Sequence, residues 1–123
     1  MVKTYAKGSK FERDLLNYLH FKGFSVCRIA SSGGWYTPTD VIAIRNGTVL
    51  AIECKAWAKK PRLEKEKIRR FKEWCEKAGA HGFLAWKQTG NIWKFLTLKD
   101  AEDGNYQDER WFSLDDINRV FML

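Results

Sequence analysis

The sequence predicts an α/β fold: a single domain with a central mixed five-stranded sheet flanked by helices. Three observations carry this. Two apolar runs, Val41-Ile42-Ala43-Ile44 and Val49-Leu50-Ala51-Ile52, flank Asn46-Gly47, the signature of a tight hairpin. Apolar residues at helical spacing stand both before and after that hairpin. Two further apolar runs follow the second helical segment. The expected order is α-β-β-β-α-β-β, closed by a short C-terminal helix. A chain of 123 residues suits one domain, since even ~150 residues bury roughly 70% of their unfolded surface around one core.

Residues 1–8 read as a basic N-terminal arm. Ser9 and Glu12 then have the spacing of a capping box, and Phe11, Leu15, Leu16 and Leu19 give a helix over about 10–22, stopped by Gly23. A strand is expected over 24–30. The stretch 31–38, rich in Gly and Ser, is a loop that leads directly into Asp40. Strands over 40–45 and 48–56 make the hairpin. Ile68, Phe71, Cys75 and Ala78 stripe a second helix over 62–78, which Pro61 precedes and Gly79 ends. Strands over 82–86 and 92–98, turned by Thr89-Gly90-Asn91, complete the sheet. Residues 100–107 read as a polar loop, and Ser113 as the N-cap of a helix ending near Phe121.

Composition narrows the function. The hydrophobic fraction of 45% excludes a disordered chain. Lys and Arg total 22 against 15 acidic residues, a formal net charge of +7, and the pI is near 9.4. Such a small basic domain points to a polyanionic partner, with nucleic acid ahead of an acidic membrane surface. Nine basic residues fall between Lys55 and Lys72, opposed within that segment by Glu64 and Glu66. Cys27, Cys54 and Cys75 lie in apolar runs without metal-ligand spacing and read as reduced core residues. No apolar stretch approaches ~18 residues and no signal core opens the chain, so a cytoplasmic, intracellular location is expected.

The chemistry concentrates at the ends of the hairpin. Asp40 opens its first strand, and Glu53-Cys54-Lys55 closes its second. Residues two apart share a strand face, which puts Glu53 and Lys55 together. Buried carboxylates need a counter-charge. Asp40, Glu53 and a backbone carbonyl make an oxygen-rich site suited to Mg²⁺, with Mn²⁺ as a substitute. Lys55 is then placed to position a water or to stabilise charge in a pentavalent transition state. A Glu-x-Lys by itself is more often a structural ion pair. The combination with the Asp, the two apolar strands and the basic excess favours metal-dependent phosphodiester hydrolysis.

With those residues in place, the chain resembles the archaeal-type Holliday junction resolvases of the PD-(D/E)xK nuclease superfamily. The resemblance is carried by Lys7-Gly8-Ser9, Phe11-Glu12-Arg13, Gly23-Phe24, Arg28-x-Ala30-x-Ser32-Gly33, Pro38-Thr39-Asp40-Val41-Ile42-Ala43, Ala51-Ile52-Glu53-Cys54-Lys55, and Phe71-x-Glu73-Trp74 before Gly79. It covers nearly the whole chain. It implies a restriction-endonuclease-like fold, resolution of four-way DNA junctions by paired symmetric nicks, a homodimer, and no small-molecule cofactor.

It also implies residue roles. Glu12, Asp40, Glu53 and Lys55 form the active-site set, with Asp40 and Glu53 as main metal ligands and Glu12 near the metal or its waters. Ser32, or Ser31 one position away, lies near the scissile phosphate. Lys7, Lys10, Arg13 and Arg28 belong to the DNA-binding face. From the basic segment itself, Lys59, Lys60 and Arg62 are candidates for a loop that clamps DNA arms, and Lys67 for a phosphate contact. Two departures stand out: Thr39 intervenes between Pro38 and Asp40, and Lys67 or Glu66 stands where the family often carries a Gln. Phe71, Trp74, Trp86, Trp93, Trp111 and Phe121 are candidates for a dimer interface. The alternatives are another nuclease of the superfamily acting on duplex or flapped DNA, a non-catalytic nucleic-acid-binding module on the same fold, or a basic membrane-surface protein. Archaeal, viral or phage origin stays open.

Overall fold

Asn46 and Gly47 adopt φ of 51° and 82°, the left-handed pair that a two-residue hairpin turn needs and that Asn and Gly tolerate best. The turn joins β2 (Val41–Arg45) to β3 (Thr48–Lys55), in antiparallel register from Arg45↔Thr48 to Val41↔Ile52. This computed structural model describes residues 2–29, 36–55, 60–88 and 92–116; the side chains of residues 2–9 and of Lys55 fall outside that description. The loop 31–35, the turn Thr89-Gly90-Asn91 and the chain beyond 116, with the expected end of the C-terminal helix, also lie outside the described residues.

The remaining elements are α1 (Val2–Phe21), β1 (Ser25–Arg28), α2 (Lys65–Ala78), β4 (His81–Lys87), β5 (Trp93–Thr97), α3 (Leu98–Glu102) and a 3₁₀ turn, Asp108–Arg110. The sheet order is β1-β2-β3-β4-β5, with only β3 and β4 parallel. That parallel pair requires a crossover, and α2 supplies it. The mixed five-stranded sheet with flanking helices is the architecture expected from the pattern of apolar runs.

Alternation along the strands gives the sheet two buried faces. Leu15 and Leu19 of α1 pack on one, with Val41, Ala43, Leu50, Ile52, Phe83 and Phe95. Ile68, Phe71 and Cys75 of α2 pack on the other, with Ala51, Leu84 and Leu96. Gly79 ends α2 at φ 69° and returns its N–H to Cys75 O, the left-handed cap that Gly allows. Gly82 is small for a different reason: a Cβ there would lie 2.9 Å from Leu98 Cδ2 and 3.1 Å from Cys75 Sγ. Gly82→Ala should therefore destabilise the domain by about 1–3 kcal/mol through overpacking. A urea melt checks this, and an unchanged midpoint would refute the close approach of α3 and α2 over β4.

Several expectations need correction. α1 begins at Val2 rather than near residue 10, so residues 2–8 are helical and Ser9 is inside the helix, not at its cap. Once nucleated, a helix extends residue by residue at little cost, and Gly8 alone penalises it by about 1 kcal/mol. Residues 61–64 lie outside regular secondary structure, and α2 starts only at Lys65. Residues 98–102 form a helix, not strand and loop, because the Thr97 hydroxyl accepts from Asp100 N–H at 3.1 Å and caps it. Cys54 and Cys75 are buried, whereas Cys27 is exposed on the edge strand β1. Burial pushes the Cys75 thiol up to about 12. Phe71, Trp93 and Trp111 belong to the core rather than to a surface. Trp86 packs edge-on against Trp111 with ring centroids 5.3 Å apart, which leaves Trp74 and Trp86 as the half-buried members of the aromatic set; Phe121 lies outside the described residues.

Candidate active site

Asp40 sits at a bend just before β2, where the backbone is still hydrogen-bonded on both sides. Its C=O accepts from Ile29 N–H at 2.8 Å, while its N–H donates the other way, to Ile52 O at 3.2 Å. Thr39 reinforces this bend. Its buried hydroxyl donates to Ile52 O at 3.0 Å and to Val41 O at 3.3 Å. The residue that intervenes between Pro38 and Asp40 thus ties the start of β2 onto β3.

The bend delivers the Asp40 carboxylate to β3. Oδ2 accepts from Cys54 N–H at 3.0 Å, which is the peptide that joins Glu53 to Cys54. Glu53 is the neighbouring side chain, 1% exposed as a residue. Strand alternation places Glu53 with Ala51 on the face covered by α2, and Cys54 on the α1 face. Two carboxylates are thereby buried around a single peptide unit. Lys55 ends β3 in register with Trp86; its side chain lies outside the described residues, as do Ser31, Ser32, Lys59 and the side chain of Lys7.

Charge in this site is compensated from α2. Lys67 Nζ lies 2.8 Å from Glu53 Oε2, with the two side chains 22% and 2% exposed. Lys67 precedes Ile68, which starts the buried stripe of α2, so the lysine flanks the buried face and reaches back to the sheet. An ion pair this deep is tolerated because each charge has a partner.

The other expected residues distribute differently. Glu12 receives Arg28 Nε at 2.6 Å, an ion pair that links α1 to β1 in place of the expected capping box. Among the described residues, no group of three or more His, Cys, Asp or Glu is placed to hold a metal; Glu12 is engaged by Arg28, whereas Asp40 and Glu53 adjoin the same β3 peptide. Lys10 and Arg13 are exposed on α1. Lys60 pairs with Asp108 and lies 5.8 Å from the Trp86 ring, and Arg62 stacks at 4.5 Å on Tyr106. The Tyr106 hydroxyl in turn accepts from Leu63 N–H at 3.3 Å. The segment leading into α2 is therefore fastened to the chain that follows α3. Sequence reading missed the anchoring role of Thr39 and the contact of Lys67 with Glu53; the signal for the second was its position beside the apolar stripe.

The donors fit a hard divalent cation. Carboxylate oxygens and strand carbonyls are the ligands such an ion prefers, and Mg²⁺ needs few of them because it keeps several waters. Asp40 and Glu53 would hold it.

A family model described as archaeal Holliday junction resolvase (Hjc) matches residues 3–117. The chain is 42% identical over 93 residues to the crossover junction endodeoxyribonuclease Hjc of Methanocaldococcus jannaschii, covering 75% of this chain and 67% of that protein. It is 38% identical over 113 residues to the Hjc of Sulfolobus acidocaldarius, covering 85% and 78%. The fold superimposes on Archaeoglobus fulgidus Hjc, a Holliday junction resolvase, with a TM-score of 0.73 at 24% identity, covering 89% of this chain and 98% of that one. With the family model spanning nearly every residue around this pair of buried carboxylates, the chain belongs to the archaeal Holliday junction resolvase family.

Proposed function

We propose that this chain is an endodeoxyribonuclease that resolves four-way DNA junctions by paired symmetric nicks, acting as a homodimer with Mg²⁺. The observation that carries the reading is the buried Asp40–Glu53 pair gathered around one β3 peptide, in a chain whose relatives are named crossover junction endodeoxyribonucleases. A divalent cation bound there supplies positive charge against the scissile phosphate and makes nearby water easier to deprotonate. The chain's own contribution is positional. The Cys54 N–H and the Thr39 hydroxyl fix the Asp40 carboxylate against β3, and α2 shields Glu53 from bulk water. Lys55 and Ser32 act on the phosphate itself, and the Arg28–Glu12 pair holds the neighbouring edge of the site. Exposed Lys10 and Arg13, with Lys7, contact backbone phosphates, which read charge and shape rather than sequence. Two-fold symmetry in a dimer sets two such sites against the two strands to be cut.

The test is cleavage of an immobile four-way junction with Mg²⁺, the cuts mapped on every strand, beside flapped and linear DNA. Paired, symmetric nicks confined to the junction are the expected result. Binding should weaken steeply with salt, since each phosphate contact releases counterions. Equal cutting of linear duplex would overturn the junction reading and leave a general nuclease of the same superfamily.

A further inference from the structure

We infer that Lys67 is a built-in counter-cation that competes with the divalent metal for Glu53, so that it sets how readily the site loads. The inference rests on the proposed metal role of Asp40 and Glu53. Its starting point is the ion pair itself: Lys67 Nζ stands 2.8 Å from Glu53 Oε2, on a carboxylate whose side chain is 2% exposed. Such a carboxylate cannot remain charged without a cation close by, and the Lys67 ammonium is one such cation in the metal-free protein.

The position of Lys67 argues that the pairing has more than a packing purpose. It falls in the first turn of α2, where the helix dipole disfavours a positive side chain. Two other cations of the same helix have solvent-facing partners instead: Arg69 bonds Glu66 and Glu73, and Lys72 bonds Glu102. Lys67 is directed inward onto a site carboxylate. A dication held on that carboxylate lies within about 7 Å of the ammonium wherever it binds, given ~2.1 Å ligand distances. Two positive centres so close in a shielded site repel each other. The ammonium therefore stabilises the metal-free protein and raises the metal concentration needed to fill the site. DNA phosphates offer Lys67 a second anion, which would make metal and DNA binding reinforce each other.

Lys67→Gln removes the charge and keeps a hydrogen-bond donor; Lys67→Arg keeps the charge. The measurement is Mn²⁺ affinity of the full chain by calorimetry without DNA, beside melting temperatures with and without Mn²⁺. Lys67→Gln should bind Mn²⁺ about tenfold more tightly, the order expected when a like charge leaves a partly screened site. It should also melt lower without metal and gain more from it. Lys67→Arg should stay within about twofold of the parent in affinity. If Lys67→Gln is unfolded without metal, refolding on Mn²⁺ addition supports the proposal and failure to refold overturns it. Equal or weaker Mn²⁺ binding by Lys67→Gln also overturns it. Asp40→Asn measured alongside separates the two ideas: unchanged Mn²⁺ binding there removes the metal site itself, whereas lost binding there with no effect at Lys67 removes only the competition.

Discussion

Asp40→Asn should abolish metal-dependent cleavage while leaving the fold and junction binding in place. The amide oxygen of Asn can still accept the Cys54 N–H that Asp40 Oδ2 accepts at 3.0 Å, so the local backbone keeps its anchor. The change removes one of the two buried negative charges that would hold the cation. A rate loss of about 10³-fold corresponds to ~4 kcal/mol of barrier, the scale at which a bound cation acts on a developing charge. Single-turnover cleavage of a four-way junction under saturating protein measures it, with gel shift and thermal melting as controls. Cleavage within tenfold of the parent would mean that Asp40 does not hold the metal. Retained junction binding matters equally, because phosphate contacts are proposed to come from α1 and not from this carboxylate.

Phe71→Ala should cause the largest loss of stability, about 3–5 kcal/mol. Phe71 is fully buried at the centre of the α2 stripe, with Ala51, Leu84 and Leu96 of the sheet around it. Truncation leaves a cavity that these neighbours cannot all close, since they are held in strand register. Against a total stability of about 5–15 kcal/mol, that loss brings the domain near unfolding. The melting temperature should fall by about 10–25 °C, while Phe71→Leu should cost far less. Because α2 also carries Lys67 onto Glu53, loosening the helix should disturb the site as well as the core. A shift below ~3 °C would contradict the placement of Phe71 between helix and sheet.

The elements whose signals are local were legible in advance. Asn46-Gly47 set the hairpin, Gly79 the end of α2, and apolar periodicity the two faces of the sheet. The differences have identifiable physical causes. Ser9 and Glu12 have the spacing of a capping box, but helix propagation carried α1 through to Val2 and freed Glu12 for Arg28. The aromatic excess read as surface because composition counts rings without placing them; Phe71, Trp93 and Trp111 were needed inside. The partners of the basic segment were not legible in it because several lie outside it, at Glu53, Glu73, Glu102 and Asp108.

By itself the sequence determined the order of the five strands and two long helices and the hairpin register, which bring Asp40 beside the Glu53–Cys54 peptide at one end of the sheet. Turn residues and strand alternation act over a few residues, so the chain specifies these outcomes locally. Only the tertiary structure decided which cation meets which carboxylate. Lys67 reaches Glu53 through a helical crossover, and Arg28 reaches Glu12 through the packing of α1 on the sheet edge. Electrostatic partnership depends on distance and burial in space, which the crossover and the two cores set.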